Sequence, residues 1–142
     1  MYITREPVDL GKFFLRLPDA SCGAAASFVG LVRNHDQGRR VQKLYYECYE
    51  SMADKMIGIL VSEAHEKWNV KDIHVSHRIG PLEIGEAAVA IAVSSSHRDE
   101  AFRACRYLIE EIKKRVPIWK KEIFEDGTAE WVTCSHPVEM AS

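Results

Sequence analysis

No run in this sequence approaches the roughly eighteen consecutive apolar residues of a membrane-spanning helix. Its opening segment, MYITREPVDLGKFF, mixes charges and has no apolar core of the signal-peptide kind. The expectation is therefore a cytoplasmic protein without a membrane partner. Positive charge is not in excess either: the formal net charge is -2 over 142 residues, which argues against a general nucleic-acid binder but leaves room for a local basic pocket. The four cysteines, Cys22, Cys48, Cys105 and Cys134, lie far apart and form no C-x-x-C pair, so they read as buried reduced thiols rather than zinc or redox ligands. There is no P-loop, dinucleotide fingerprint or nucleophile elbow. His74 and His77 share one expected strand at a spacing of three, which puts them on opposite faces and makes a joint metal site untenable. Neither a metal nor a cofactor is implied.

What is present is an ordinary globular composition, 46% hydrophobic and 28% charged, at a length that fits one domain over residues 1–142, with a tail of about 134–142 that could be flexible. Local pattern predicts a short strand at 2–5 and a helix from an Asp9 N-cap to residue 17, stopped by Pro18. Strands are expected at 22–32 and 41–49, separated by a polar loop at 34–40. A helix at 51–68 carries an apolar stripe of Met56, Leu60, Ala64 and Trp68. Strands at 71–79 and 87–95 flank a turn-like Gly80-Pro81 and Gly85. A long helix at 97–115 buries Ala101, Ala104, Cys105, Leu108, Ile109 and Ile112, and Pro117 enforces its end. A hairpin around Asp126-Gly127 closes the chain. The fold class is α+β, a mainly antiparallel sheet with packed helices.

Three segments carry chemistry. In SSSHRDE, residues 94–100, Ser96 is a natural N-cap with Asp99 completing a capping-box pattern. His97 and Arg98 stand at that same helix end, where free N–H groups and the dipole attract anions. Read blandly, they decorate a cap. In KKRVPIWKKE, five cations fall within nine residues. Cations at a helix C-terminus favour the dipole and are usually solvated. Pro117, however, separates Lys113 on the helix from Lys120 on the next strand, and a chain reversal there could bring both to one pocket. In GLVRNH, Arg33 at a strand end is placed to reach a ligand, with His35 beside it, whereas a lone loop histidine is more often simply solvated.

The order and spacing of GLVRNH, SSSHRDEAF and KKRVPIWKKE, followed by Trp131-Val132, strongly resemble the catalytic (large) subunit of molybdopterin synthase. The resemblance spans about residues 23–132 and includes His77-Arg78-Ile79-Gly80 and the strand around Tyr45-Tyr46. It implies an α/β hammerhead-type fold and a homodimer of large subunits within a heterotetramer. Each large subunit would bind a small ubiquitin-like sulfur-carrier subunit. The implied reaction, in molybdenum cofactor biosynthesis, is a sulfurtransferase step. Sulfur would pass from the carrier's C-terminal thiocarboxylate to cyclic pyranopterin monophosphate, forming the molybdopterin dithiolene. Carried over by motif, Lys113 and Lys120 are the catalytic candidates, and Arg33, His97 and Arg98 the substrate-binding ones. No cysteine advertises itself as a sulfur carrier. One departure stands out: family members often carry an arginine soon after the terminal Trp-Val, where this chain reads Thr133-Cys134-Ser135-His136-Pro137.

The enzyme predicts that Lys113 and Lys120 converge with His97 and Arg98 in one pocket beside a groove for an extended tail. A non-catalytic binding module for a ubiquitin-like protein would bury no small molecule, and an anion-sensing regulatory domain would bind a phosphate ligand saturably without any sulfur transfer.

Overall fold

The most apolar segment of the chain sets the architecture. Residues 87–95 form a strand in which every side chain from Ala88 to Ser95 is buried. Such a continuous run, rather than an alternating one, marks a strand covered on both faces. A computed structural model of the chain, describing residues 1–133, shows what covers it.

In chain order the elements are β1 (Ile3–Thr4), α1 (Leu10–Phe14), β2 (Ala24–Leu31), β3 (His35–Asp36), β4 (Arg39–Cys48), α2 (Glu50–Lys67), β5 (Asp72–Arg78), β6 (Gly80–Glu83), β7 (Ala87–Ser95), α3 (Arg98–Arg115), β8 (Ile118–Phe124) and β9 (Ala129–Thr133). One sheet has the order β1-β5-β7-β2, antiparallel except for the β1–β5 pair. The other runs β3-β4-β8-β9, with β6 on the free side of β4. Helix α3 packs on β2 and β7, and α2 packs on α3. Val89, Ile91 and Val93 enter the main core with Leu108, Ile57 and Leu60, whereas Ala90 and Ala92 on the other face receive Phe13 of α1. Alanine there lets the short helix approach closely. The α+β class with mainly antiparallel sheets is as expected.

Two local details position the site. The chain passes from the first sheet to the second at Gly80, whose φ of +94° suits glycine. The crossover is clamped by Arg78, which bonds Glu86 at 2.7 Å and donates to the Pro81 carbonyl at 3.2 Å. At the far end of α3, Val116 and Pro117 reverse the chain, and β8 then pairs with β4 so that Tyr46 lies opposite Lys120.

Four expectations need correction. The loop at 34–40 is a tight hairpin: His35 and Asp36 pair with Arg40 and Arg39 around Gln37 and Gly38, both at positive φ. Its strands are polar on both faces, so hydrophobic alternation could not reveal them. The turn expected at Gly80-Pro81 is itself strand β6, where Leu82 is buried opposite Leu44. The N-cap of α3 is His97, not Ser96, and no side chain caps it; instead the His97 amide donates to Ser95 Oγ at 3.4 Å. Helix α1 keeps its Asp9 cap but ends at Phe14, three residues early. The tail of about 134–142 lies outside the described residues.

Leu108 is fully buried between α3 and the β2–β7 face. Leu108→Ala is expected to lower the unfolding free energy by about 2–5 kcal/mol, measurable as a shifted urea midpoint with an unchanged slope.

Candidate functional site

The reversal at Pro117 builds a cavity. The last turn of α3 presents Lys113, the start of β8 presents Lys120, and the end of β2 leads into Arg33 and His35. All four line one concave space of about 350 Å³. That volume is in the range of small-ligand sites. The inner wall is Tyr46, His77, Leu44, Val89 and Ile112, and Glu122 completes it beside Lys120. Residues 120 and 122 share a face of β8, as alternation requires.

Burial tunes two of these groups in opposite directions. His77, 6% exposed, has its pKa pushed from 6.5 down to about 4 by burial, with the Lys113 charge adding to the effect. The imidazole is thus neutral. Its Nδ1 lies 3.0 Å from the Arg78 carbonyl, which can only accept, so Nδ1 carries the hydrogen. The ring stands edge-on to Tyr46 at 5.3 Å between centroids. The Glu122 carboxyl is raised, first by burial and then by a hydrogen bond to the Asp36 carboxyl, against the opposing pull of Lys120 and Arg33. Arg33 is exposed and bonds Asp36 at 3.3 Å.

His97 and Arg98 lie elsewhere. They sit at the opposite end of α3 from Lys113, about 22 Å away at 1.5 Å per residue, and neither lines the cavity. The expected convergence of both lysines with His97 and Arg98 does not occur within one chain, because a straight helix holds the two ends apart.

Residues 3–115 match the family model described as MoaE protein. The chain belongs to the MoaE protein family. It is 51% identical over 126 residues to the molybdopterin synthase catalytic subunit of Thermoplasma volcanium, covering 89% of this chain and 90% of that one. The crystal structure of molybdopterin synthase from Staphylococcus aureus superposes with a TM-score of 0.86 at 43% identity, over 92% of this chain and 95% of that chain. At 23% identity, a Helicobacter pylori structure described as a complex of subunits 1 and 2 of molybdopterin-converting factor shares the fold, with a TM-score of 0.78 over 99% of this chain and 96% of that one. The resemblance read from the three motifs is borne out.

In this MoaE protein no cysteine among the described residues takes part in the cavity wall; Cys22, Cys48 and Cys105 are free. Burial pushes the Cys48 and Cys105 thiols up to about 11, far from the thiolate a sulfur carrier needs. Cys134 and His136, and with them the question of the missing tail arginine, fall outside the described residues. Among the described residues no group of three ligands could hold a metal, and no helix is long and apolar enough to cross a membrane. His74 and His77 do face apart: the first meets Phe13, the second Tyr46. Sequence reasoning passed over Glu122 and Asp36. The signal for Glu122 was present, since a residue two after Lys120 on a strand must share its face, but an acid after two lysines looks like a solvated charge pair.

A buried neutral histidine gives a pH signature with a definite sign. Above 6.5 both folded and unfolded forms hold His77 neutral. As pH falls from 6.5 to about 4 the unfolded chain takes up a proton that the folded chain refuses, so stability declines through that window. In urea titrations across it, His77→Gln is expected to lose less stability than the wild type does.

Proposed function

We propose that this chain is a sulfurtransferase, the catalytic subunit that moves sulfur from the C-terminal thiocarboxylate of a small ubiquitin-like carrier onto cyclic pyranopterin monophosphate, making the molybdopterin dithiolene in the cytoplasm. The observation that carries this reading is the convergence of Lys113, Lys120 and Arg33 on one small-ligand cavity. Both the thiocarboxylate and the phosphate are anions, and a cationic cavity with low-dielectric walls draws them together. One lysine assists sulfur addition or protonates the departing oxygen. Arg33 neutralises phosphate charge. Two sulfurs require two loaded carriers in succession. The Helicobacter pylori complex of two subunits supports a small protein partner for this fold.

His97 and Arg98 enter this scheme through a second copy of the chain. Among the described residues β2 is the outer strand of its sheet. Its Ala24 end lies beside Ser95, next to His97, and its Gly30 end lies beside Val89 in the cavity wall. Two such strands paired antiparallel about a twofold axis would carry His97 and Arg98 of each copy to the cavity of the other. A homodimer then supplies the phosphate clamp that one chain lacks, and with two carriers it becomes a heterotetramer.

The test is a single-turnover assay with thiocarboxylated carrier and cyclic pyranopterin monophosphate, reading dithiolene product. Lys113→Ala is expected to abolish product, by about a hundredfold or more, while carrier binding stays intact. Activity lost only in proportion to carrier binding would instead indicate a binding module. A mixture of Lys113→Ala and Arg98→Ala chains, unfolded and refolded together, is expected to regain activity that neither shows alone, because one site of each mixed dimer is then intact. Failure to complement would remove the second copy from the site.

A further inference from the structure

On its core-facing side, β5 is apolar until it reaches the cavity. Ile73 and Val75 pack with the main core cluster, and alternation puts residue 77 on the same side. There the strand changes to an imidazole, almost wholly buried and part of the cavity wall. Burying a polar side chain lowers stability unless its polar atoms find partners. Nδ1 has one: it donates to the Arg78 carbonyl at 3.0 Å. The nitrogen left for a ligand is Nε2, and in a neutral ring with its hydrogen on Nδ1 it can only accept. Burial, helped by the Lys113 charge, keeps the ring neutral. The backbone bond and the edge-on contact with Tyr46, at 73° between ring planes, together fix its orientation.

Acceptors are scarce in this wall. Arg33, Lys113 and Lys120 present donors alone, and the Glu122 carboxyl shares the β8 face of Lys120. A simple anion is served by the cations and has no use for an imidazole lone pair. We propose that His77 is a specificity-determining residue of the cavity, accepting through Nε2 a hydrogen bond from an N–H or O–H group of the ligand whose anionic end meets Lys113, Lys120 and Arg33. The cavity then reads two features at once, negative charge at the cations and a donor at the inner wall. It discriminates against anions that lack the donor, because binding them leaves a desolvated Nε2 without a partner. A phosphate-bearing pterin has both features. The inference rests on the sulfur-transfer reading for that ligand's identity and for nothing else.

Two amide substitutions separate the two ring nitrogens. His77→Asn can keep a donor at the position of Nδ1 but has no atom at that of Nε2. His77→Gln can keep an acceptor at the position of Nε2 but gives up the Nδ1 bond. Cyclic pyranopterin monophosphate and sulfate are titrated into wild type and both variants, and a urea midpoint is recorded for each chain. His77→Asn is expected to bind cyclic pyranopterin monophosphate about tenfold or more weakly, with KM for sulfur transfer rising in step. His77→Gln should stay within about threefold of wild type even where its urea midpoint is the lower. Sulfate affinity should be the same in all three. By nitrogen NMR, wild-type His77 should show a bare Nε2 that shifts when cyclic pyranopterin monophosphate binds and stays put with sulfate. A hydrogen on Nε2 in the free protein overturns the proposal, as does affinity that follows the urea midpoint whichever amide is present; His77 is then a structural residue. If wild type takes up sulfate but not cyclic pyranopterin monophosphate, the sulfur-transfer reading fails, and glycerol phosphate against propyl phosphate decides His77. An Nε2 shift with the hydroxyl-bearing ester alone upholds the proposal, and an equal response to the two, or none, overturns it.

Discussion

The two-sided burial of β7 is the constraint on which the rest depends. One face seats α3, and through α3 the second helix; the other accepts Phe13 over two alanines. Hydrophobic burial is non-directional, but here the alternation of large and small residues along one strand gives it direction. Large aliphatics face the helices that need a deep core, and alanines face the helix that must come close. Because α3 is seated along its whole length, its last turn is delivered to one place, and Lys113 arrives at the cavity as a consequence of packing far from it.

The cavity itself is electrostatically unfavourable in isolation. Three cations line it, Arg33 and Lys113 exposed and Lys120 half-buried, and like charges brought together repel. The compensating features are a neutral histidine that adds no charge and the Glu122 carboxyl beside Lys120. The pull on His77 and the push on Glu122 have one physical origin, burial, acting on an acid and a base in opposite directions. Groups displaced apart in this way are a mark of sites where protons and charges are managed.

How much of this was legible beforehand follows from what each pattern encodes. Helices α2 and α3 were readable because burial of one face imposes a periodicity that survives in sequence. The closing hairpin was readable because Asp126-Gly127 is a turn signal with few alternatives. Strand β6 and the β3 hairpin were not, since one is too short for periodicity and the other is polar on both faces. Lys113 and Lys120 could be paired because Pro117 marks a chain reversal between them, whereas Arg33 was set with His97 and Arg98 by motif and only the fold brings it to the lysines. His97 and Arg98 could not be assigned a position relative to the lysines from motif order alone. That relation is a distance along a rigid helix, and only the fold reveals that the distance is too great for one chain to close.

That helix has a further consequence for how the family can vary. Each residue of an α-helix advances the axis by 1.5 Å and turns it by about 100°. A single insertion anywhere between Arg98 and Lys113 would swing the lysine away from Lys120 and Arg33 while leaving its identity, charge and neighbours in sequence intact. Substitutions along the exposed face of α3 are therefore cheap, whereas changes in its length are not. The helix acts as a spacer counted in whole residues, and the buried stripe of Ala101, Ala104, Cys105, Leu108 and Ile112 is counted in the same register.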